Sequence, residues 1–376
     1  MVDFSNINVY LSNQQNELRA GNYNEADALV LAQLSYYPFE KFYQRDKRVF
    51  MPELAHKMLE GADFNSYSED KQTFIKELMN CKRYKRCTIH KMQSVSTQDT
   101  RWAAFTMDFG KGNSSVIAMR GTDKTTVGWA EDFRLGYNVM GTGAQLAAFR
   151  YLKESEARKM YLTGHSKGGN NVSSAFAMSA PNIRDRILRI DNFDGPGVNP
   201  EFAQNYSDGY NELKDKLHNF YPEGSVIGLL LKDNLGEINF IKTEIRERYR
   251  NSLLLGRHDP FAWEINGGCL VRTKQLCTSE LLNHALDELM NITNSRQRYY
   301  LVQMIERMGI PAMISGDIQG MASVLATVIG GVVNASREEK MALFYALFAF
   351  IKGFISQSKE WIAKPFTKEY NRIELL

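Results

Sequence analysis

The spacing of apolar residues changes several times along the chain, and each change predicts a different structural element. Apolar residues recur at helical intervals from Asn24 to Tyr37, and Asn24 is a suitable residue to cap that helix. Residues 40–85 are charged and aromatic with no clear alternation, which is typical of short helices joined by loops. From Arg101 to Asp123 two apolar runs flank the turn sequence GKGN, which predicts a pair of strands.

Helical and strand patterns then alternate through the middle of the chain. The segments are, in order, the helix GAQLAAFRYLKESEARK, the strand MYLT, the helix NNVSSAFAMSA and the strands RILRIDNF and KLHNFY, with EINFIKTEI as a candidate for one more strand near residue 240. Strands that alternate with helices indicate a mostly parallel sheet covered on both faces. The sequence therefore predicts an α/β fold.

Strand patterns end near Thr278, and the rest of the chain has the pattern of helices. A chain of 376 residues is long for one compact unit, so one large domain with an appendage is the expected division. We therefore predict an α/β domain over residues 1–277, including the N-terminal helices, followed by a helical region over residues 278–376.

The C-terminal helical region contains long apolar runs. Residues 318–333 carry no charge over sixteen positions, fewer than the roughly 20 residues that a membrane-spanning helix needs. A helical hairpin buried against the α/β domain is the favoured interpretation. A helix on a membrane surface is the alternative, because Phe344, Phe348, Phe350 and Phe354 lie near one another in the sequence.

Composition and charge are those of a globular protein and exclude several classes of function. Hydrophobic residues make up 44% and charged residues 24% of the chain, which leaves no room for an extensive disordered region. A net charge of +3 is too small to indicate electrostatic binding to nucleic acid. The first residues lack the pattern of a secretory signal, so we expect a cytoplasmic location, with export by an unrecognised route left open.

The four cysteines predict neither a metal site nor a disulfide framework. They are Cys81, Cys87, Cys269 and Cys277. Their spacing matches neither a CxxC metal knuckle nor a dense set of disulfides, and a reducing compartment is the simpler interpretation. The sequence implies no metal and no cofactor.

Candidate chemistry begins at the pentapeptide Gly164-His165-Ser166-Lys167-Gly168, which matches the G-x-S-x-G pattern. A predicted strand precedes it and a helix with small residues follows it, which is the context that a nucleophilic serine of this kind requires. The sharp turn strains the backbone and crowds its neighbours, so glycine is needed on either side. Ser166 is therefore a candidate nucleophile, and the competing interpretation is an ordinary serine in a glycine-rich turn.

A second segment, VIAMRGTDKTTVGWAEDF, places an apolar strand before an Arg-Gly-Thr sequence. Its first part, VIAMRGT, and the later YLTGHSKGGN resemble the two hallmark segments of the class 3 lipases, a branch of the α/β-hydrolases. They are most similar to an uncharacterised bacterial branch of that group. The resemblance covers roughly residues 24–265 and implies an α/β-hydrolase fold that acts on esters.

The resemblance also implies roles for residues beyond the serine. In that family the Ser or Thr after Arg-Gly lies in the oxyanion hole, which carries the role onto Thr122, whose backbone N–H would act with that of Lys167. Thr122 could also cap the turn that leads into DKTTVGW, and this function is compatible with a place in the oxyanion hole. Trp129 and Asp132 lie where the family has its lid helix, and we expect Asp132 to be structural, paired locally or with Arg120.

A serine nucleophile needs a general base, and the chain contains six histidines: His56, His90, His165, His218, His258 and His284. The order serine, acid, histidine along this fold excludes His56 and His90. Three others fall in the elbow itself, in a predicted strand and in a predicted helix. His258 remains, in a loop whose following Asp-Pro favours a turn, and its surroundings also resemble the bacterial branch. A surface histidine at a turn is the alternative.

The acid of the triad has more than one candidate. Asp194 follows the strand after the elbow, and its Gly-Pro-Gly neighbours predict a tight turn at the same edge of the sheet. Class 3 lipases usually take their acid after the next strand, which would be Glu223, but their Asp-x-Val-Pro pattern is absent, because Gly224 stands two residues before Val226. We therefore prefer Asp194, with Glu223 as the alternative and Asp191 as a third choice.

Together these residues predict a serine hydrolase of carboxylic esters. Ser166 would attack the acyl carbonyl, His258 would transfer the proton, and Asp194 would hold the imidazole. Acyl lipids are the substrates that the resemblance alone implies, with peripheral membrane contact as an accompanying expectation. The rival hypothesis is a non-catalytic, hydrolase-like scaffold whose C-terminal helices bind a protein partner or a membrane.

Overall fold

The computed structural model describes residues 5–38, 41, 47–110, 113–123, 125–231, 235–244, 256–308, 336–346, 348 and 352. Its strands are β1 Val49–Phe50, β2 Thr88–Ser96, β3 Arg101–Asp108, β4 Ser114–Met119, β5 Lys159–His165, β6 Ile187–Phe193, β7 Leu217–Pro222, β8 Glu237–Ile241, β9 Ile265–Asn266 and β10 Cys269–Leu270. Its helices are α1 Ile7–Asn13, α2 Glu25–Leu34, α3 Met51–Glu60, α4 Glu69–Asn80, α5 Thr126–Arg134, α6 Gly143–Lys153, α7 Lys167–Met178, α8 Pro181–Arg184, α9 Pro200–Asn205, α10 Ser207–Leu213, α11 Cys277–Ile292 and α12 Ser295–Met308.

The central sheet of the described residues has eight strands, ordered in space as they are in the chain from β1 to β8. The first four strands pair antiparallel, and β4 to β8 pair parallel. Helices connect each successive pair of strands from β4 to β7, as parallel pairing requires. The predicted α/β fold with a mostly parallel sheet is confirmed, and the antiparallel strands form one side of it.

Helices cover both faces of this sheet, each over its own apolar cluster. One cluster lies beneath α1 to α4, and the other lies beneath α6 and α7. In α2 every residue from Ala26 to Leu34 is buried, since the helix lies between the sheet and its neighbouring helices. Asn24 caps α2 as expected, its Oδ1 accepting from the Asp27 N–H at 2.9 Å, but the helix ends three residues before the predicted Tyr37.

The sequence pattern missed one full strand, β2. This strand lies between the two-residue β1 and the long β3, and its sequence TIHKMQSVS is mostly polar. The pairing with β3 shifts between His90 and Gln93, where Lys91 adopts a positive φ of 51°. A bulge of this kind interrupts the alternation on which strand prediction depends.

The C-terminal helices begin with α11, and α12 packs beside α5 and the turn that follows it. Arg298 of α12 donates to the carbonyl of Gly136 at 2.6 Å, and the rings of Tyr137 and Tyr299 meet edge to face. The segment 318–333 lies outside the described residues, as do Phe350 and Phe354. Within the described part of the chain, no helix is long and apolar enough to span a bilayer.

The register of the parallel strands aligns their carboxyl ends. Met119 at the end of β4 pairs with Gly164 of β5, and His165 at the end of β5 pairs with Phe193, the last residue of β6. Phe193 in turn pairs with Phe220 of β7. The segments that follow these strands therefore start side by side at one edge of the sheet, which is where ligands bind in open α/β folds.

Candidate active site

Ser166 stands alone between β5 and α7 in a strained backbone conformation, with φ 58° and ψ −135°. The turn is tight on both sides. A Cβ on Gly164 would lie 2.2 Å from the carbonyl carbon of Gly168, and a Cβ on Gly168 would lie 2.2 Å from the Met119 carbonyl oxygen. Both glycines are therefore required by space. The strain at Ser166 is of the kind that folds maintain at functional positions.

The Arg-Gly-Thr segment after β4 lies directly against this turn. A Cβ on Gly121 would be 2.5 Å from the His165 carbonyl oxygen, so glycine is needed for the approach. Thr122 is thereby held beside the turn. Thr125, rather than Thr122, caps α5, since its Oγ1 accepts from the Gly128 N–H at 3.1 Å.

His258 and Asp194 meet on the loops beside this turn. The Nδ1 of His258 lies 2.6 Å from Oδ2 of Asp194, and the carboxylate is fully buried. Its other oxygen accepts from the Ser225 hydroxyl and, at 3.0 Å, from the Gly228 N–H. Asp194 itself has a φ of 50°, the left-handed region, which turns the chain sharply after β6.

The other two carboxylates considered from the sequence have different partners. Glu223 accepts from Arg257 and, at 3.1 Å, from the hydroxyl of Thr243. Asp191 accepts from Arg189 within the same strand at 2.7 Å. Neither carboxylate is hydrogen-bonded to His258, whose Nδ1 contact is to Asp194. The structure brings together Ser166, the His258 loop and Asp194. Glu223 instead binds Arg257, the residue before His258.

The two remaining histidines after the serine lie in other elements. His218 lies half-buried in β7 with its Nδ1 2.8 Å from the Glu237 carboxylate. His284 lies within α11. Asp259, next to His258, caps the short helical turn Pro260–Ala262 by accepting from the Phe261 N–H at 3.1 Å.

His165 and Tyr36 join the site, and the sequence patterns did not reveal either role. His165 Nε2 lies 2.8 Å from the carbonyl oxygen of His258, which only accepts, so Nε2 carries the proton and Nδ1 is an acceptor. Tyr36 therefore donates its hydroxyl proton to Nδ1, at 2.8 Å, and it also forms a hydrogen bond with Ser166. Burial lowers the pKa of His165 well below its usual value, which keeps the ring neutral.

The helix α5 presents two acidic residues to the site. Asp132 Oδ2 accepts from the Thr122 hydroxyl at 2.5 Å, and Glu131 accepts from the Lys167 ammonium at 3.0 Å. The expectation of a local partner for Asp132 is met by Thr122, whereas the alternative partner Arg120 donates instead to the carbonyls of Ser35 and Tyr37. Burial raises the pKa of Asp132 to about 6, against the opposing effect of the Lys167 charge.

The described residues contain no group of three or more histidine, cysteine, aspartate or glutamate side chains arranged to hold a metal ion. All four cysteines are free thiols, with Cys81 and Cys87 buried. The polar side chains grouped around the Ser166 turn are two histidines, three carboxylates, a tyrosine and a lysine.

A parallel sheet that carries a serine at positive φ between a strand and a helix defines the α/β-hydrolase class. Within that class the chain belongs to the Mbeg1-like family, whose model matches residues 78–306. A comparison with curated proteins finds no significant match.

Among solved structures, the chain is similar to several fungal lipases. The lipase of Rhizopus microsporus var. chinensis is 13% identical, with 71% of this chain and 90% of that chain covered at a TM-score of 0.31. A triacylglycerol lipase from Penicillium expansum is 13% identical over 51% and 86%, at 0.29. Lipase II from Rhizopus niveus is 14% identical over 41% and 65%, at 0.26, so the chain spans less than two thirds of that lipase.

Proposed function

We propose that this protein is a serine hydrolase of carboxylic esters, with acyl lipids as its substrates. The observation that carries the proposal is the strained Ser166 next to His165, whose ring holds the loop of His258, a histidine with its Nδ1 on the buried carboxylate of Asp194. Backbone strain of this kind costs about 1–3 kcal/mol, and it is typical of functional positions rather than of ordinary turns.

The proposed reaction assigns one step to each side chain. The Ser166 oxygen attacks the acyl carbonyl and forms the C–O bond, while Nε2 of His258 takes the hydroxyl proton. The tetrahedral intermediate collapses, the bond to the alcohol breaks, and His258 returns the proton to the leaving oxygen. Water then attacks the acyl-enzyme in the same way and releases the acid. Asp194 accepts from Nδ1–H throughout, which fixes the tautomer and stabilises the imidazolium.

The oxyanion is assigned to the backbone N–H groups of Thr122 and Lys167. As the first residue of α7, Lys167 has an N–H without an acceptor inside its own helix. The positive end of the helix dipole points the same way. Loss of one such donor typically lowers kcat by about a hundredfold to a thousandfold.

Acyl lipids are favoured over small soluble esters by two features. The segments VIAMRGT and YLTGHSKGGN resemble those of the class 3 lipases. The helical residues 337–346 also begin an apolar stripe, since Met341, Phe344 and Phe348 are exposed at intervals of three and four residues. Such a stripe is suited to contact with a lipid surface. Sedimentation with lipid vesicles, compared with a Phe344→Ser, Phe348→Ser variant, tests this contact.

Hydrolysis of a series of p-nitrophenyl esters of increasing acyl length tests the proposed function. Ser166→Ala should abolish turnover, while Ser173→Ala, at a buried serine within the helix that follows Ser166, should retain it. A preference for long acyl chains supports acyl lipids, and a preference for acetate esters supports a small-ester hydrolase. Equal turnover by the wild type and Ser166→Ala would refute the proposal.

A further inference from the structure

Lys167 has a buried side chain that the proposed reaction does not use. Only its backbone N–H was assigned a role, yet its side chain is 1% exposed and lies directly after Ser166. A buried ammonium is costly unless charges and hydrogen bonds compensate it. Its partners are both on α5, the helix that follows Thr122: Glu131 at 3.0 Å and Asp132 at 3.8 Å.

Glu131 is a fully satisfied anchor for this lysine. Its Oε2 accepts from the ammonium and from the Arg101 N–H at 3.2 Å, and its Oε1 accepts from the Ala144 N–H at 2.7 Å. These bonds connect α5 to β3, to the start of α6 and to the start of α7. Since Glu131 is itself 1% exposed, moving α5 away would separate a buried ion pair.

Asp132 is the second partner and connects the lysine to the oxyanion site. Its Oδ2 accepts from the Thr122 hydroxyl at 2.5 Å. Its Oδ1 is buried and accepts no hydrogen bond from the described part of the chain, and the charge that faces it is the ammonium of Lys167. Thr122 is thus held by a carboxylate whose own charge is balanced by the residue next to the nucleophile.

We propose that the Lys167 ammonium is a positioning residue of the oxyanion site: it holds α5 against the nucleophile turn and keeps Asp132 ionised, so that Asp132 fixes Thr122. The inference rests on the proposed function, because Thr122 and Lys167 are the two residues assigned to the oxyanion. It also implies that α5 stays in place and does not open as a lid. The rate of turnover should therefore rise smoothly with substrate concentration, with no jump where the ester reaches its solubility limit.

The groups that face Asp132 decide how the site depends on pH. They are Lys167 on α7, Glu131 on α5, His258 and Tyr36 on the neighbouring loops, and the hydroxyl of Thr122. The positive charge of Lys167 opposes the effect of burial and outweighs the negative charge of Glu131. Removing both charges therefore favours the protonated form of Asp132, which no longer accepts from Thr122 as a carboxylate.

The test compares the wild type with Glu131→Gln, Lys167→Met. This double variant removes both charges of the ion pair, so no buried charge is left without its partner. We therefore expect it to fold, whereas Lys167→Met alone leaves Glu131 buried and unpaired. We expect kcat to fall about tenfold with KM within about twofold, and the acid limb of kcat/KM to move up by about one pH unit. Adding both changes to Asp132→Asn should leave the limb unmoved, since that variant has no carboxylate to titrate.

Each outcome of this experiment decides the matter. A double variant with wild-type kcat and an unmoved acid limb would show that Lys167 only stabilises the fold and would overturn the inference. A limb that moves equally in the Asp132→Asn background would also overturn it. A wild-type protein without ester turnover would refute the proposed function and the inference together, whereas an active wild type with an unaffected double variant refutes the inference alone.

Discussion

Asp194 binds Nδ1 of His258 at 2.6 Å, from the turn directly after the strand that neighbours the nucleophile. We expect Asp194→Asn to lower kcat by about ten-thousandfold, because the amide favours the wrong tautomer of the histidine. Glu223→Gln should stay within about tenfold of the wild type, since Glu223 holds Arg257 rather than His258. Steady-state kinetics on one soluble ester measure both. An inactive Glu223→Gln beside an active Asp194→Asn would move the acid to Glu223.

Tyr36 is expected to matter for turnover as well as for stability. Burial raises its pKa well above the usual value, so its hydroxyl remains a donor to His165. Tyr36→Phe leaves a buried imidazole nitrogen without its donor, which should lower the free energy of unfolding by about 1–3 kcal/mol. It should also lower kcat, because His165 holds the carbonyl of His258.

Tyr37→Phe is the matched control for Tyr36→Phe. Tyr37 is also buried, and its hydroxyl donates to the Lys71 carbonyl at 3.0 Å, away from the site. Denaturant unfolding and kinetics on both variants separate the two effects. Equal kcat values for the two variants would assign Tyr36 a structural role only.

Buried Asp191 should make stability depend on pH. Burial raises its pKa to about 6, above the value of an exposed aspartate, so the folded state binds the proton more tightly than the unfolded state. This contribution to stability is present at low pH and is lost as the pH rises through about 6, by up to about 3 kcal/mol. In Asp191→Asn that loss should be absent, and unfolding by urea between about pH 4 and 7 measures the difference. If the free energy of unfolding depended on pH in the same way for the wild type and the variant, this prediction would be contradicted.

The buried ion pair of the N-terminal helices is expected to be structural. Arg83 contacts both oxygens of Asp27 at 2.6 Å, and Asp27 is fully buried. Arg83→Met should lower the free energy of unfolding by about 3–5 kcal/mol, because it leaves a buried charge without its partner. Lys242→Met, which breaks an exposed pair with Glu264, should change it by less than about 1 kcal/mol. A similar effect of both changes in thermal unfolding would contradict the assignment.

The sequence predicted most of the fold because the parallel strands are apolar and short. VIAM is buried throughout and MYLT is buried except at Tyr161, and burial on both faces produces a short, nearly continuous apolar run. β2 was missed because its residues are mostly polar and its pairing contains a bulge at Lys91. The small β9–β10 hairpin was missed because two-residue strands carry no periodic signal.

The candidate site was predictable only where its chemistry has a local signature. The turn at Ser166 needs glycines at fixed positions, and these glycines are visible in the sequence as the G-x-S-x-G motif. Tyr36, Glu131 and the Lys167 side chain carry no such signal, because their roles depend on contacts between segments far apart in the chain. A lysine between Ser166 and Gly168 carries no sequence signal of burial, although here it is buried against α5.

Reaction with a fluorophosphonate probe tests the central claim most directly, because only a serine activated by its histidine reacts with it. Mass spectrometry of the labelled protein should find one adduct, located on the peptide that contains Ser166. Labelling should disappear in Ser166→Ala and persist in Ser173→Ala. A folded wild-type protein that takes up no probe, or a Ser166→Ala variant labelled to the same extent, would contradict the account.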